Sequence, residues 1–146
     1  MNAHNIIEIE FGTPEYDEAI TLRDQVLRKP LNLQFTEEQI AEEFNQIHFG
    51  YYNEHHELIA CLSYQPKEDN ILKMRQVAVD SSIQNKGIGS KLVLATEQWA
   101  KHKGFKKIIL HARDTAVPFY NKLNYQLVDE PFTEVGIKHF MMEKYI

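Results

Sequence analysis

A single cysteine, Cys61, stands in 146 residues, so no disulfide can form within the chain. Its apolar neighbours Ala60 and Leu62 point to a buried strand, where it serves as a small core residue rather than a reactive thiol. No run approaches the roughly 18 apolar residues of a membrane span. Glycine and proline are sparse, at 6 and 5, and no segment repeats, which excludes collagenous, low-complexity and solenoid chains. Positive charge is short as well: 16 Lys and Arg against 21 Asp and Glu give a net −5. A nucleic-acid binder wants a clustered basic face, so this balance argues against that class. Any anionic ligand must be gripped by local geometry instead. Met1 to Phe11 lacks the basic start, apolar stretch and cleavage site of a secretory leader, so the expected location is a reducing cytoplasm.

What is present reads as one ordinary globular domain over residues 1–146, 43% hydrophobic and 25% charged. A chain of this length buries enough surface to need neither metal nor disulfide. Ile7, Ile9 and Phe11 alternate with Glu8 and Glu10, the pattern of a half-buried first strand. Thr13-Pro14 then offers an N-cap followed by proline at the first helical position, opening a helix that runs to about Lys29-Pro30. Thr36-Glu37-Glu38-Gln39 is a capping box, with Phe35 and Ile40 at the staple positions, and predicts a second, acidic helix. Its Glu37, Glu38, Glu42 and Glu43 read most simply as a solvated face, with a functional carboxylate cluster as the alternative.

Ile47 to Tyr52 and Leu58 to Tyr64 read as a hairpin, and Ile71 to Val79 as the strand after it. His55-His56-Glu57 in the hairpin turn lacks metal-ligand spacing, and no metal is expected. A polar loop with two glycines, Ser81 to Gly89, opens a long helix with Ile88, Leu92, Ala95 and Trp99 on one stripe. Lys101, His102 and Lys103 before Gly104 mark its end. Lys107 to His111 is a short strand and Thr115 to Leu123 a short helix with Asn124 as a left-handed cap. Strands around Tyr125 to Val128 and Val135 to Met142 close the order β-α-α-β-β-β-α-β-α-β-β.

The segment with chemical content is strand, Gly-x-Gly loop, helix. Glycines let backbone N–H groups approach a ligand, and the helix adds its positive end, which together make an anion cradle. A Walker loop would need glycines five apart with Lys-Ser/Thr directly after the second, whereas Gly87 and Gly89 stand two apart and Ser90-Lys91 follows. The dinucleotide fingerprint would need glycine where Leu92 sits. A merely connecting turn remains the plain alternative.

Gln84-Asn85-Lys86-Gly87-Ile88-Gly89, placed after Val77-Ala78-Val79, resembles the Gln/Arg-x-x-Gly-x-Gly/Ala motif of the GNAT superfamily of acyl-CoA-dependent N-acetyltransferases. Ala116-Val117-Pro118-Phe119-Tyr120-Asn121-Lys122-Leu123-Asn124-Tyr125 is similar to that family's Ala-x-x-Phe-Tyr-x-Lys-x-Gly-Phe/Tyr segment. The resemblance implies an α+β, three-layer α/β/α fold: a mixed, mostly antiparallel sheet of about seven strands flanked by four helices. It implies acetyl-CoA as co-substrate and a primary amine of a small molecule or peptide as acceptor, with no nucleic acid and no membrane as partner. A homodimer is left open. A non-catalytic acyl-CoA sensor is the alternative function.

By the same resemblance, Val77, Ala78 and Val79 would meet the pantetheine arm through their backbone. Gln84, Asn85, Lys86, Gly87, Ile88, Gly89 and Ser90 would wrap the diphosphate, with Asp114 and Phe119 on the cofactor side. Tyr120 would protonate the departing thiolate, or else is simply a core aromatic. The strand before the loop, Lys73-Met74-Arg75-Gln76, offers no base at neutral pH, which leaves His111, His139 or a water chain. Leu22 to Leu31 and Phe132 to Phe140 would form the acceptor side. There Arg23 and Arg28 would recognise a substrate carboxylate, or else pair with the acidic second helix.

Overall fold

Seven strands form one sheet in the computed structural model, which describes residues 5–28, 42–84, 86–134 and 136–146. The strands are β1 (Ile6–Ile9), β2 (Ile47–Tyr52), β3 (Leu58–Lys67), β4 (Ile71–Val79), β5 (Lys107–Arg113), β6 (Gln126–Glu134) and β7 (Ile137–Tyr145). They lie in the order β1-β2-β3-β4-β5-β7-β6. Only β4 and β5 run parallel, joined by a crossover through a helix; every other pair is antiparallel. Three α-helices are described: α1 (Pro14–Arg23), α2 (Ile88–His102) and α3 (Val117–Lys122). The fourth expected helix, from Thr36, falls largely in 29–41, outside the described residues; a 3₁₀ turn, Glu42–Asn45, follows it.

Alternation along the strands splits the core between the two faces. On β3, Ala60, Leu62 and Tyr64 join Leu72, Met74, Ile108, Leu110 and Met142 beneath α2. Cys61 points the other way, with Ile9 and Ala78, onto Tyr16, Ala19 and Leu22 of α1. Burial pushes the Cys61 thiol up to about 12, so it stays protonated as a core residue. Thr13 caps α1 by accepting from the Tyr16 N–H at 3.2 Å. The helix ends at Arg23 and passes into a π-helical turn, Asp24–Arg28, earlier than Pro30 would have required.

Two expectations change. Ile7 and Phe11 are exposed, because β1 is an edge strand: α1 buries Ile9, and Phe11 keeps only a contact with the Tyr16 ring at 4.8 Å. The buried stripe of α2 is Gly89, Leu92, Val93, Thr96, Glu97 and Ala100, rotated from the apolar spacing toward two polar residues. Those two find partners far along the chain. Thr96 Oγ1 meets the Tyr64 hydroxyl at 2.8 Å, and Glu97 accepts from the Tyr125 hydroxyl at 2.8 Å and from Lys144 Nζ at 2.7 Å.

Candidate active site

The seam between β4 and β5 opens midway. The strands pair from Ile71↔Lys107 to Met74↔Leu110 and no further, although β4 continues to Val79 and β5 to Arg113. A bulge marks the point of departure. Two steps on β3, from Cys61 to Ser63, span three on β4, from Ala78 to Arg75, and Gln76 takes up the extra residue at φ 57°. Beyond Met74, then, no strand among the described residues pairs with β4 on its β5 side. The gap is a cavity of about 600 Å³ whose walls include Gln76, Val77, Gln84, His111, Tyr120 and His139.

The glycine loop lies at one end. Gly87 adopts φ 79°, a left-handed conformation that glycine takes without strain, and among the described residues no side chain caps α2. The first N–H groups of that helix lack intrahelical acceptors and its dipole is positive there. A Cβ on Gly89 would sit 3.3 Å from the Phe119 ring and 3.3 Å from a Val79 methyl, so glycine keeps this approach open. Gln84 Nε2 donates to the Val79 carbonyl at 3.0 Å, tying the loop back to β4. The residues present therefore fit a bound diphosphate and its arm.

Tyr120 stands on α3, whose Pro118 sits in the first turn and whose Asn124 cap has φ 71°. Its ring meets Phe119 and Tyr125 edge-on, at 4.9 and 5.7 Å. Burial pushes its pKa above the usual 10, so the hydroxyl keeps its proton. That hydroxyl has no hydrogen-bond partner among the described residues, and the residue lines the cavity.

Two histidines occupy the opposite wall. His111 Nδ1 lies 3.2 Å from Glu134 Oε2. A carboxylate can only accept, so Nδ1 carries the proton and Nε2 keeps its lone pair. Burial, then the Lys73 ammonium, lower its pKa below the usual 6.5, against the pull of Glu134, and favour the neutral ring. His139 Nδ1 likewise donates to the Ile137 carbonyl at 2.8 Å, leaving its own Nε2 as the acceptor. Phe132 fixes both rings, edge-on to His111 at 4.7 Å and stacked on His139 at 6.0 Å.

Against known proteins, a family model described as "Acetyltransferase (GNAT) domain" matches residues 15–146. The chain belongs to the GNAT acetyltransferase family. The N-acetyltransferase YjcF of Bacillus subtilis, itself uncharacterised, is 30% identical over 128 residues, 87% of this chain and 90% of that one. A second match, to YyaT of the same organism, is 34% identical and spans about half of either chain. A Lactobacillus plantarum protein assigned to the N-acetyltransferases superposes with TM-score 0.84 at 23% identity, over 96% of this chain and 97% of that one. A GNAT family acetyltransferase from Elizabethkingia anophelis with acetyl-CoA bound superposes with TM-score 0.73 at 22% identity, over 97% and 99%.

Within this GNAT domain the expected cofactor residues separate into groups. Val77 and Gln84 line the cavity, Val79 and Phe119 close around Gly89, and Gly87, Ile88 and Ser90 stand with Gly89 at the start of α2, outside the cavity lining. Ala78 turns its side chain under α1, leaving only its backbone at the strand edge. Lys86 is exposed, and Asn85 lies outside the described residues. Asp114 is exposed and accepts from the Thr115 N–H at 2.8 Å, starting a 3₁₀ turn; Thr115 and Ala116, not Asp114, line the cavity.

On the acceptor side, Arg23 is 1% exposed and committed to Glu43 by two hydrogen bonds of 2.8 and 2.6 Å, with the Tyr16 hydroxyl donating to the same carboxylate at 2.8 Å. Glu43, read as solvated, is thus a core residue. The side chain of Arg28 lies outside the described residues. Glu134 falls within the Phe132 to Phe140 stretch expected on the acceptor side, but its pairing with His111 was not foreseen, because β6 was expected to end at Val128. A bulge between Val128 and Phe132 carries the strand on to Glu134, and the alternation of Phe132 with Glu134 was the available signal.

Proposed function

We propose that the protein transfers the acetyl group of acetyl-CoA to a primary amine by direct attack, with both substrates bound together. The observation that carries this reading is the meeting, in one opened strand seam, of a partnerless tyrosine hydroxyl with two histidines whose Nε2 atoms are free to accept a proton. The loop from Gln84 to Ser90 holds the diphosphate on its backbone N–H groups, and the β4 backbone beyond the bulge orients the arm. Acetyl-CoA supplies the thioester.

His111, held by Glu134, takes the proton from the amine, with His139 as the alternative acceptor. Nitrogen bonds to the acetyl carbon, the carbon–sulfur bond breaks, and Tyr120 hydrogen-bonds and protonates the departing sulfur. A lysine-like amine with pKa about 10.4 needs about 4.6 kcal/mol to become neutral at pH 7. A backbone donor aimed at the developing oxyanion returns about 3–4 kcal/mol.

The test is acetyl-CoA consumption, read as thiol release, across amines and peptides, beside the melting shift given by coenzyme A. Turnover together with a shift supports the proposal. A shift without turnover on any amine favours the sensor alternative, and no shift at all refutes the cradle.

A further inference from the structure

The wall facing α1 carries a charge pattern at odds with the chain's net −5. Alternation puts Leu72 and Met74 in the core beneath α2, so Lys73 and Arg75 project from the other face. Arg75 opposes Ser63, whose hydroxyl meets His48, itself edge-on to Tyr16 of α1. On β5, Leu110 and Ala112 join the same core, so His111 and Arg113 lie on the α1 face with Lys73 and Arg75. Lys73, Arg75 and Arg113 all line the cavity; the one carboxylate among its described lining residues is Glu134, already engaged with His111. Arg113 is tethered to the Leu27 carbonyl at 3.3 Å. Lys73 and Arg75 have no hydrogen-bond or ion-pair partner among the described residues.

Such a wall repels a polycation and leaves partly desolvated cations seeking an anion. The diphosphate is an unsuitable candidate. The loop proposed to hold it leads into α2, and its neighbours Val79, Ile88 and Phe119 pack on the α2 side of the sheet, whereas Lys73 and Arg75 leave from the α1 side. We infer that the acceptor is an amine bearing its own carboxylate, of amino-acid or short-peptide type, whose carboxylate is received by Lys73 and Arg75 while its amine faces His111. This rests on the acetyltransferase reading above. The chemistry is consistent: nearby cations disfavour an ammonium, and a peptide α-amine with pKa of about 8 is already about a tenth neutral at pH 7.

The experiment measures kcat/KM for free amino acids and dipeptides, each beside its carboxamide, with spermidine and an aminoglycoside as polycationic acceptors. It is repeated in Lys73→Met and Arg75→Gln, each checked for an intact melt. The expected result is a preference of tenfold or more for carboxylate over carboxamide in the wild type. Each substitution should lose about tenfold, through KM of the acceptor and not KM of acetyl-CoA. Equal use of acid and amide, preferred use of the polycations, or a carboxylate preference that survives both substitutions overturns the assignment while acetyl transfer stands. Loss confined to KM of acetyl-CoA overturns it too, by giving these cations to the coenzyme. Absence of turnover on every acceptor overturns the acetyltransferase reading itself, and this inference with it.

Discussion

Replacing Tyr120 by phenylalanine separates chemistry from packing, because the hydroxyl does nothing for the folded protein that phenylalanine would undo. It has no partner among the described residues, while the ring is held by Phe119 and Tyr125. Deleting an unpartnered hydroxyl falls within about 0.5 kcal/mol, or about 2 °C in melting temperature for a chain of this size. The rate should respond differently. Proton transfer from an ordinary tyrosine (about 10) to a thiolate (about 8.5) is uphill by about 2 kcal/mol, and burial widens that gap. In the proposed acid role Tyr120 would therefore act through a strong hydrogen bond with late transfer, toward the lower end of general acid catalysis, about 10²-fold or about 2.7 kcal/mol. Steady-state thiol release should show kcat reduced about a hundredfold, with KM for acetyl-CoA and the melting shift by coenzyme A both retained. A variant within about threefold of wild-type kcat refutes the acid role; one that melts far lower refutes the claim that the hydroxyl is structurally idle.

Gly89→Val should abolish the melting shift given by coenzyme A, since even the Cβ meets Phe119 and Val79 at 3.3 Å and the added methyls reach into the cradle; calorimetric titration checks it. Glu43→Gln should cost about 3–5 kcal/mol, or about 6–20 °C, because it takes the carboxylate from a guanidinium that is 1% exposed. Burial alone would raise the Glu43 pKa, but Arg23 and Tyr16 hold it below the usual 4.5. Its contribution is therefore complete above about pH 4.5 and lost as pH falls through the lower folded value, so the melting gap between wild type and variant should close in acid. With His111 as the proposed base, the ring must be neutral to act, and burial holds its pKa below 6.5, so the acidic limb of kcat/KM should fall below that pH. Glu134 pulls this pKa up; in Glu134→Gln the limb should move further toward acid while kcat drops, and a limb moving upward would exclude His111 as the titrating base. His139 and Lys73, which face the same ring, both push the other way.

What could be read from the sequence is what neighbours in sequence decide. The Thr13 cap, the Gly87 turn, the Asn124 cap and the extent of β4 each depend on a few adjacent residues, and each stands where the local pattern put it. The seam that makes the cavity does not. It requires a one-residue mismatch between β3 and β4, absorbed at Gln76, and nothing in Arg75-Gln76-Val77 announces a left-handed residue, since glutamine has no preference for that conformation. Only pairing with a second strand creates it.

The same division explains which charges were misread. A glutamate next to other glutamates at a helix start reads as solvated, and Glu43 is buried only because Arg23 and Tyr16, 20 and 27 residues earlier, converge on it from α1. Glu97 is buried for the same reason, with Tyr125 and Lys144 far along the chain. In both cases partners distant in sequence satisfy the carboxylate. Lys73 and Arg75 are the inverse case: alternation alone predicts cations on the face opposite Leu72 and Met74, but the fold leaves them facing an open cavity rather than bulk water. A cation there is retained at a desolvation cost that a solvent-facing lysine would not bear, and burial already lowers the Lys73 pKa with Arg75 adding to it. A bound carboxylate would reverse that shift, so titration of Lys73 with and without a carboxylate-bearing acceptor should show its pKa rise on binding; a pKa unmoved by a saturating acceptor would separate the anion from this lysine.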